Sequence, residues 1–191
     1  MARNLRFCAA DCVTNRRIRL KRLLGFKYPF IKKIIIIATR QIGDTLITTP
    51  LISAAKKLWP DAQIDFFGFE NSLSMLSGNP DVHRVIGTKN RLKFKDYLKQ
   101  FLTLFRRYDL AIITQPSDRA YIYGLVAAKK RVGVIPNEPK LNWWKKKVCL
   151  HTVEVDYFQQ HVITEKIRLL EPFAAANQLF EDGISVTPPA P

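Results

Sequence analysis

The sequence lacks several features that would place it in a common class. Its three cysteines, Cys8, Cys12 and Cys149, are odd in number and widely spaced, which argues for a reduced cytoplasmic protein rather than a disulfide scaffold. No second pair of Cys or His follows Cys8 and Cys12 at metal-ligand spacing, so no metal is expected. No apolar run approaches the roughly 20 residues of a transmembrane helix, and the N-terminus lacks the continuous apolar segment of a signal peptide.

Acidic residues are also scarce relative to basic ones. The 191 residues include 31 Lys and Arg against 16 Asp and Glu, a formal net charge of +15. Ten of the basic residues and one acid, Asp11, fall within residues 1–33. We therefore predict that residues 1–30 form a basic extension, which either attaches to an anionic membrane surface or packs on its own domain. Nucleic acid is not an expected partner, because no helix-turn-helix, zinc or RNP pattern accompanies the charge.

From Ile34 onwards, strand-like and helix-like segments alternate. Ile34–Ala38 is a run of apolar, mostly β-branched residues, typical of a strand buried on both faces. Helical spacing follows up to Leu58, and the same alternation continues to about residue 173. It predicts right-handed βαβ units on a parallel sheet, that is, an α/β fold. The segment 136–147, PNEPKLNWWKKK, is predicted by composition to be a loop, with tryptophans and lysines that suit a membrane surface.

The segment ATRQIGDTLITTP, residues 38–50, directly follows the first predicted strand. In open α/β sheets ligands bind beyond the carboxyl ends of the strands, which is where Arg40, Gly43 and Asp44 lie. Gly43 permits close approach of a ligand, and a helix N-terminus favours the ionised form of Asp44. Local chemistry leaves two roles open for Asp44, helix N-cap and general base. A dinucleotide-binding dehydrogenase is not indicated, because the GxGxxG fingerprint is absent.

The segment 32–67, KKIIIIATRQIGDTLITTPLISAAKKLWPDAQIDFF, resembles the N-terminal signature of the family 9 glycosyltransferases, the ADP-heptose:lipopolysaccharide heptosyltransferases. NPDVHRVIG (79–87), RRYDLAIITQPSDRAYIYGLVAAKKRVGV (106–134) and a helix that opens with His161 extend the resemblance. It implies the GT-B architecture, in which an N-terminal domain with a Rossmann-like, doubly wound parallel sheet binds the acceptor and a C-terminal domain binds the sugar nucleotide. On this basis we expect an acceptor-binding domain at residues 31–180 and a linker or truncated end at 181–191, with the C-terminal donor domain absent.

The same resemblance implies roles for individual residues. Asp44 would be the general base of an inverting transfer of heptose from ADP-heptose to the inner core of lipopolysaccharide. The acceptor would be bound by Arg40, Gln41, Gly43, Gln115 and Arg119. No cofactor or metal is implied, and the expected location is the cytoplasmic side of the inner membrane, peripheral to its anionic surface. Without a donor domain we expect the chain alone to be inactive; the alternative is a non-catalytic module that binds anionic glycolipid or membrane surfaces.

Overall fold

The computed structural model describes residues 31–173 except 41, 77, 138 and 156–161, and it does not describe the side chains of 139–141. The predicted basic extension, Gln41, His161 and the predicted linker at 181–191 therefore lie outside the described residues. Within the described part of the chain, none of the helices has both the length and the apolar character that crossing a bilayer requires.

In the described part of the chain, six strands form a single sheet, with helices on both faces. The strands are β1 (Lys33–Ala38), β2 (Gln63–Phe69), β3 (Arg84–Thr88), β4 (Tyr108–Ile113), β5 (Ala128–Pro136) and β6 (His151–Val155). The helices are α1 (Ile42–Leu46), α2 (Thr49–Leu58), α3 (Glu70–Leu73), α4 (Phe94–Leu104), α5 (Asp118–Ala127), α6 (Pro139–Val148) and α7 (Val162–Arg168), with 3-10 turns at Ser74–Leu76 and Glu171–Phe173. All neighbouring strands pair in parallel, in the order β3-β2-β1-β4-β5-β6. This is the doubly wound Rossmann order, so the predicted fold class is confirmed.

Strand β1 occupies the centre of the sheet and is buried on both faces, as its composition predicts. Ile34 and Ile36 pack in one apolar cluster with residues of α2 and α7, whereas Ile35 and Ile37 pack in the other with residues of α4 and α5. The strand order reverses between β1 and β4. In doubly wound sheets this reversal, at the carboxyl ends of the strands, is where ligands bind.

The helix after β1 differs from the prediction because it is interrupted. Periodicity predicts a single helix that includes Ile47 and ends at Leu58, but the structure has α1 and then a second start at Thr49. Pro50 stands in the first turn of α2, where its missing N–H costs nothing. The carbonyl of Leu46 accepts a hydrogen bond from Thr49 Oγ1 at 2.7 Å. The break sets α1 apart as a short helix at the carboxyl end of β1.

The predicted loop at 136–147 is wrong, because most of it forms α6. Trp144 packs edge-on against the ring of Tyr121, with 5.6 Å between the centroids. Lys145 is only 4% exposed; its Nζ donates to the Pro116 carbonyl at 2.7 Å and lies 2.8 Å from the Asp118 carboxylate. The lysine-rich composition predicted a loop because lysine is usually exposed. A buried lysine is nevertheless stable when its alkyl chain packs on apolar surface and its ammonium forms hydrogen bonds or ion pairs.

Near the amino ends of the strands, a buried carboxylate joins β2, β3 and β4. Asp65 accepts hydrogen bonds from Tyr108 Oη at 2.7 Å and from Arg84 Nη2 at 2.9 Å, and its Oδ1 lies 2.9 Å from His83 Nδ1. Burial, together with the hydrogen bond to Asp65, raises the pKa of Tyr108 to about 12.

We expect Asp65→Ala to lower the free energy of unfolding by about 2–4 kcal/mol, because it leaves these donors without their acceptor. Urea denaturation measures the change. The exposed Asp61 provides the control, and Asp61→Ala should change the free energy of unfolding by less than about 0.5 kcal/mol. Equal losses in the two variants would contradict a stabilising role for Asp65.

Candidate functional site

A cleft of about 750 Å³ opens beyond the carboxyl ends of β1, β2 and β3. Its walls are formed by Arg40, Ile42 and Gly43 after β1, by residues 69–72 at the end of β2, and by residues 88–90 at the end of β3. This is the edge of the sheet at which α/β proteins bind ligands, and it includes two of the residues predicted to bind the acceptor.

Arg40 and Gly43 form the β1 wall of the cleft. The side chain of Arg40 is exposed, while its carbonyl accepts a hydrogen bond from Ser72 Oγ at 3.2 Å, which joins this loop to α3. A Cβ built on Gly43 would meet no atom within 4 Å, so the space beside this backbone is open. The backbone at Gly43 is therefore accessible from the cleft that Arg40 also lines.

Asp44 lies in the first turn of α1 and is half-buried. It is the third residue of the helix, so it does not occupy the N-cap position that local sequence chemistry left open. Among the described residues, no side chain donates a hydrogen bond to its carboxylate. The first turn still favours a negative charge. The carboxylate oxygens are thus available to accept a proton or a hydroxyl hydrogen bond.

Lys166, on α7, contacts α1 and the segment that follows it. The sequence did not predict Lys166 as a site residue. Its side chain is almost fully buried, and its Nζ donates to the Asp44 carbonyl at 3.1 Å and to Thr48 Oγ1 at 2.9 Å. Burial lowers the pKa of Lys166 to about 8; the charge of Asp44 opposes this lowering and that of Arg40 adds to it. The structure thus places a buried ammonium within electrostatic range of both predicted site residues.

A sequence signal for Lys166 does exist. In the predicted helix it falls in phase with the apolar residues Ile163, Ile167 and Leu170, at a position where the helical period calls for an apolar side chain. A charged residue on the apolar face of a helix has to find a buried partner, and such residues concentrate at functional sites.

Gln115 follows the end of β4, beside β1. It is 2% exposed, and its Oε1 accepts a hydrogen bond from Thr39 Oγ1 at 3.3 Å. Its buried Nε2 has no acceptor among the described residues. A buried N–H without an acceptor is costly, so this amide is a candidate donor to a ligand hydroxyl. Gln115 stands on the β4 side of the strand-order reversal, next to the cleft wall formed after β1.

Arg119, at the start of α5, holds the β3 wall of the cleft in place. Its guanidinium donates to the carbonyls of Lys89 and Asn90, at 2.6 and 2.7 Å, and to Thr88 Oγ1 at 3.2 Å. It also lies 5.6 Å from the centroid of the Phe69 ring. These contacts support a positioning role for Arg119, and direct binding of an acceptor by this residue stays a prediction.

Among the described residues no group of three His, Cys, Asp or Glu side chains is close enough to hold a metal ion.

No family model matches the chain. In sequence it is similar to lipopolysaccharide heptosyltransferase 3 of Escherichia coli, with 27% identity over 153 residues, 76% of this chain and 44% of that protein. The corresponding protein of strain K12 is 29% identical over 140 residues, 70% of this chain and 40% of that protein.

Solved structures provide the matches in fold. A family 9 glycosyl transferase from Veillonella parvula superposes with a TM-score of 0.62 at 17% identity, over 78% of this chain and 42% of that one. E. coli heptosyltransferase WaaC, solved with ADP-2-deoxy-2-fluoro heptose, gives a TM-score of 0.59 at 19% identity, over 74% and 48%. The chain spans less than half the length of these relatives. The resemblance to glycosyltransferase family 9, the lipopolysaccharide heptosyltransferases, is confirmed in sequence and in fold.

Proposed function

We propose that this chain forms the acceptor side of a heptosyltransferase of lipopolysaccharide core biosynthesis, which transfers heptose from ADP-heptose to a hydroxyl of the inner core. The observation that carries the proposal is the cleft at the carboxyl ends of β1–β3, whose lining includes the exposed Arg40 and Gly43. Asp44 directly follows Gly43 in the first turn of α1. The donor class is supported by the WaaC structure, which was solved with an ADP-heptose analogue.

In the proposed reaction Asp44 is the general base. The acceptor hydroxyl oxygen attacks the anomeric carbon of heptose, the bond from that carbon to the diphosphate breaks, and ADP leaves. The hydroxyl proton passes to the Asp44 carboxylate. Attack opposite the leaving group inverts the anomeric configuration, and a nearby carboxylate also stabilises the oxocarbenium-like transition state. The scheme requires no cofactor and no metal.

Arg40 is proposed to bind the acidic groups of the acceptor. The inner core is rich in carboxylate and phosphate, and a guanidinium binds both groups with paired hydrogen bonds. Lys166, whose Nζ binds the Asp44 carbonyl of α1, adds a second positive charge near the site. In this scheme the protein works at the cytoplasmic face of the inner membrane, where a lipid-anchored acceptor is accessible.

We expect Arg40→Ala to weaken binding of an inner-core oligosaccharide about tenfold or more, because a charge-assisted contact is lost. Isothermal titration calorimetry with the 191-residue chain measures the affinity. Arg40→Lys should fall between the wild type and Arg40→Ala, since it keeps the charge but not the paired geometry. Lys33→Ala removes an exposed charge at the opposite end of β1 and serves as the control. If Arg40→Ala and Lys33→Ala bind the oligosaccharide equally well, Arg40 does not bind the acceptor.

A further inference from the structure

Helix α4 carries a row of apolar side chains on its outer surface. Phe94, Leu98 and Leu102 recur every four residues, which aligns them along one face, and Phe105 directly follows the end of the helix. They are 81%, 50%, 67% and 62% exposed, respectively. Phe101, on the adjoining inward side of the helix, packs against Tyr123 of α5. The outer row therefore adds little to the core and leaves a continuous apolar strip in contact with solvent.

Basic side chains flank this apolar row. Residues 91–107 include six basic residues and one acid, Asp96. Lys95, Lys99 and Arg107 line a shallow groove of about 410 Å³ together with Leu98 and Leu102. The outer face of α4 thus combines the two properties of helices that lie in a membrane interface, a strip of Phe and Leu and a border of Lys and Arg.

We propose that the outer face of α4 docks on an anionic membrane surface, with the apolar row at the boundary of acyl chains and headgroups and the cations on lipid phosphates. The positive charge of this surface indicates which partner would cover it. A second copy of the chain would bring six further cations against these six, whereas an anionic bilayer presents negative charge level with the cations and hydrocarbon beneath it.

The position of α4 suits an acceptor that is anchored in the membrane. The helix begins shortly after β3, whose last residues line the cleft. Lys89 and Glu70 line both the cleft and a cavity of about 360 Å³ beneath α4. Docking through α4 would therefore hold the cleft beside the bilayer. This surface adds to the proposed function and does not depend on it, because lipid binding is measured without any sugar.

The C-terminal end of α4 offers a charge variant that will not disturb the fold. Arg106 has a φ of 52°, a conformation that glycine adopts at no cost, and its backbone N–H donates to the Val126 carbonyl at 2.9 Å. Arg106→Gly therefore keeps the helix end while it removes one of the cations.

The experiment is vesicle co-sedimentation of the 191-residue chain. Vesicles of phosphatidylcholine with about 30 mol% phosphatidylglycerol are compared with phosphatidylcholine alone, at low and at high salt. We expect binding to the anionic vesicles that weakens with salt. Leu98→Ser combined with Leu102→Ser should reduce the partition coefficient about tenfold or more, and Arg106→Gly about threefold to fivefold. Leu150→Ser, which alters a leucine that is also 50% exposed but lies elsewhere, should leave the partition coefficient unchanged.

Two outcomes would overturn the proposal. If the α4 variants partition like the wild type, lipid binding lies elsewhere in the chain. If the wild type does not bind anionic vesicles, the face of α4 is not a membrane surface and would suit an acidic protein instead. Thermal melting of each variant verifies that it is folded. Oligosaccharide binding of the same variants separates this proposal from the proposed function. Vesicle binding that depends on α4, in a chain that does not bind inner-core oligosaccharide, would support the docking surface and contradict the acceptor site.

Discussion

Asp44→Asn is expected to lower kcat for heptose transfer by about 10²–10⁴-fold, the usual contribution of a positioned general base. The amide nearly preserves the shape of the side chain but cannot take the proton of the acceptor hydroxyl. The KM for the acceptor should change little, since Arg40 and the cleft walls are retained. The assay follows ADP release in a protein in which a donor-binding domain accompanies this chain.

Asp61→Asn is the matched control for this substitution. Asp61 is exposed in the turn between α2 and β2, at the opposite edge of the sheet from the cleft. The control should retain wild-type kcat, and both variants should retain wild-type melting temperatures. A kcat for Asp44→Asn within about threefold of wild type would rule out general-base catalysis by this residue.

Lys166→Met is expected to raise the free energy of unfolding at neutral pH, by as much as about 3 kcal/mol. In the folded state the pKa of Lys166 is about 8, whereas it is about 10.5 in the unfolded chain. At pH 7 both states are protonated, and the folded state bears the full cost of a buried charge. The substitution removes this cost, although it also removes the hydrogen bonds to Thr48 and Asp44, so 3 kcal/mol is the upper limit.

The pH dependence provides the sharper measurement. Between pH 8 and 10.5 the unfolded chain binds a proton at Lys166 that the folded chain does not, so this residue contributes stability that increases with pH across that window. Cys149, whose pKa burial raises to about 11, and Tyr108 act in the opposite direction at higher pH. The quantity to compare is therefore the difference between wild type and Lys166→Met. This difference should shrink from pH 7 towards pH 10, and a constant difference would contradict the low pKa.

A positioning role for Lys166 predicts a second effect, which a purely structural lysine would not produce. In the wild type, affinity for an anionic oligosaccharide should fall as the pH rises through about 8, because the ammonium behind Asp44 and Arg40 loses its charge. In Lys166→Met the affinity should be lower at pH 7 and should lack this step. A buried charge that destabilises the fold is typical of a functional site, where stability is reduced in favour of activity.

The sequence predicts the fold well because its strongest signals are local. A continuous β-branched run predicts a central strand, and alternation with helical segments predicts a parallel sheet without knowledge of any tertiary contact. Arg40, Gly43 and Asp44 could be placed at the ligand-binding edge for the same reason, since they directly follow that strand.

The remaining features depend on contacts between distant segments. The hydrogen bond from Lys166 to Asp44 joins residues that are 122 positions apart, and no local pattern states which helices meet. Helix α6 was missed because its burial depends on Tyr121 and Pro116, to which a composition rich in lysine gives no clue. The exposed row on α4 has the same periodicity as a core face, so only the structure shows which apolar residues face solvent.

Three basic side chains hold backbone segments at the carboxyl-end edge of the sheet. Lys166 binds α1, Arg119 binds residues 88–90, and Lys145 binds the Pro116 carbonyl at the start of α5. Segments fixed in this way have little conformational freedom left to lose when a ligand arrives. Association with an acceptor should therefore resemble the fitting of a rigid partner, with a small entropic penalty and no slow rearrangement before contact.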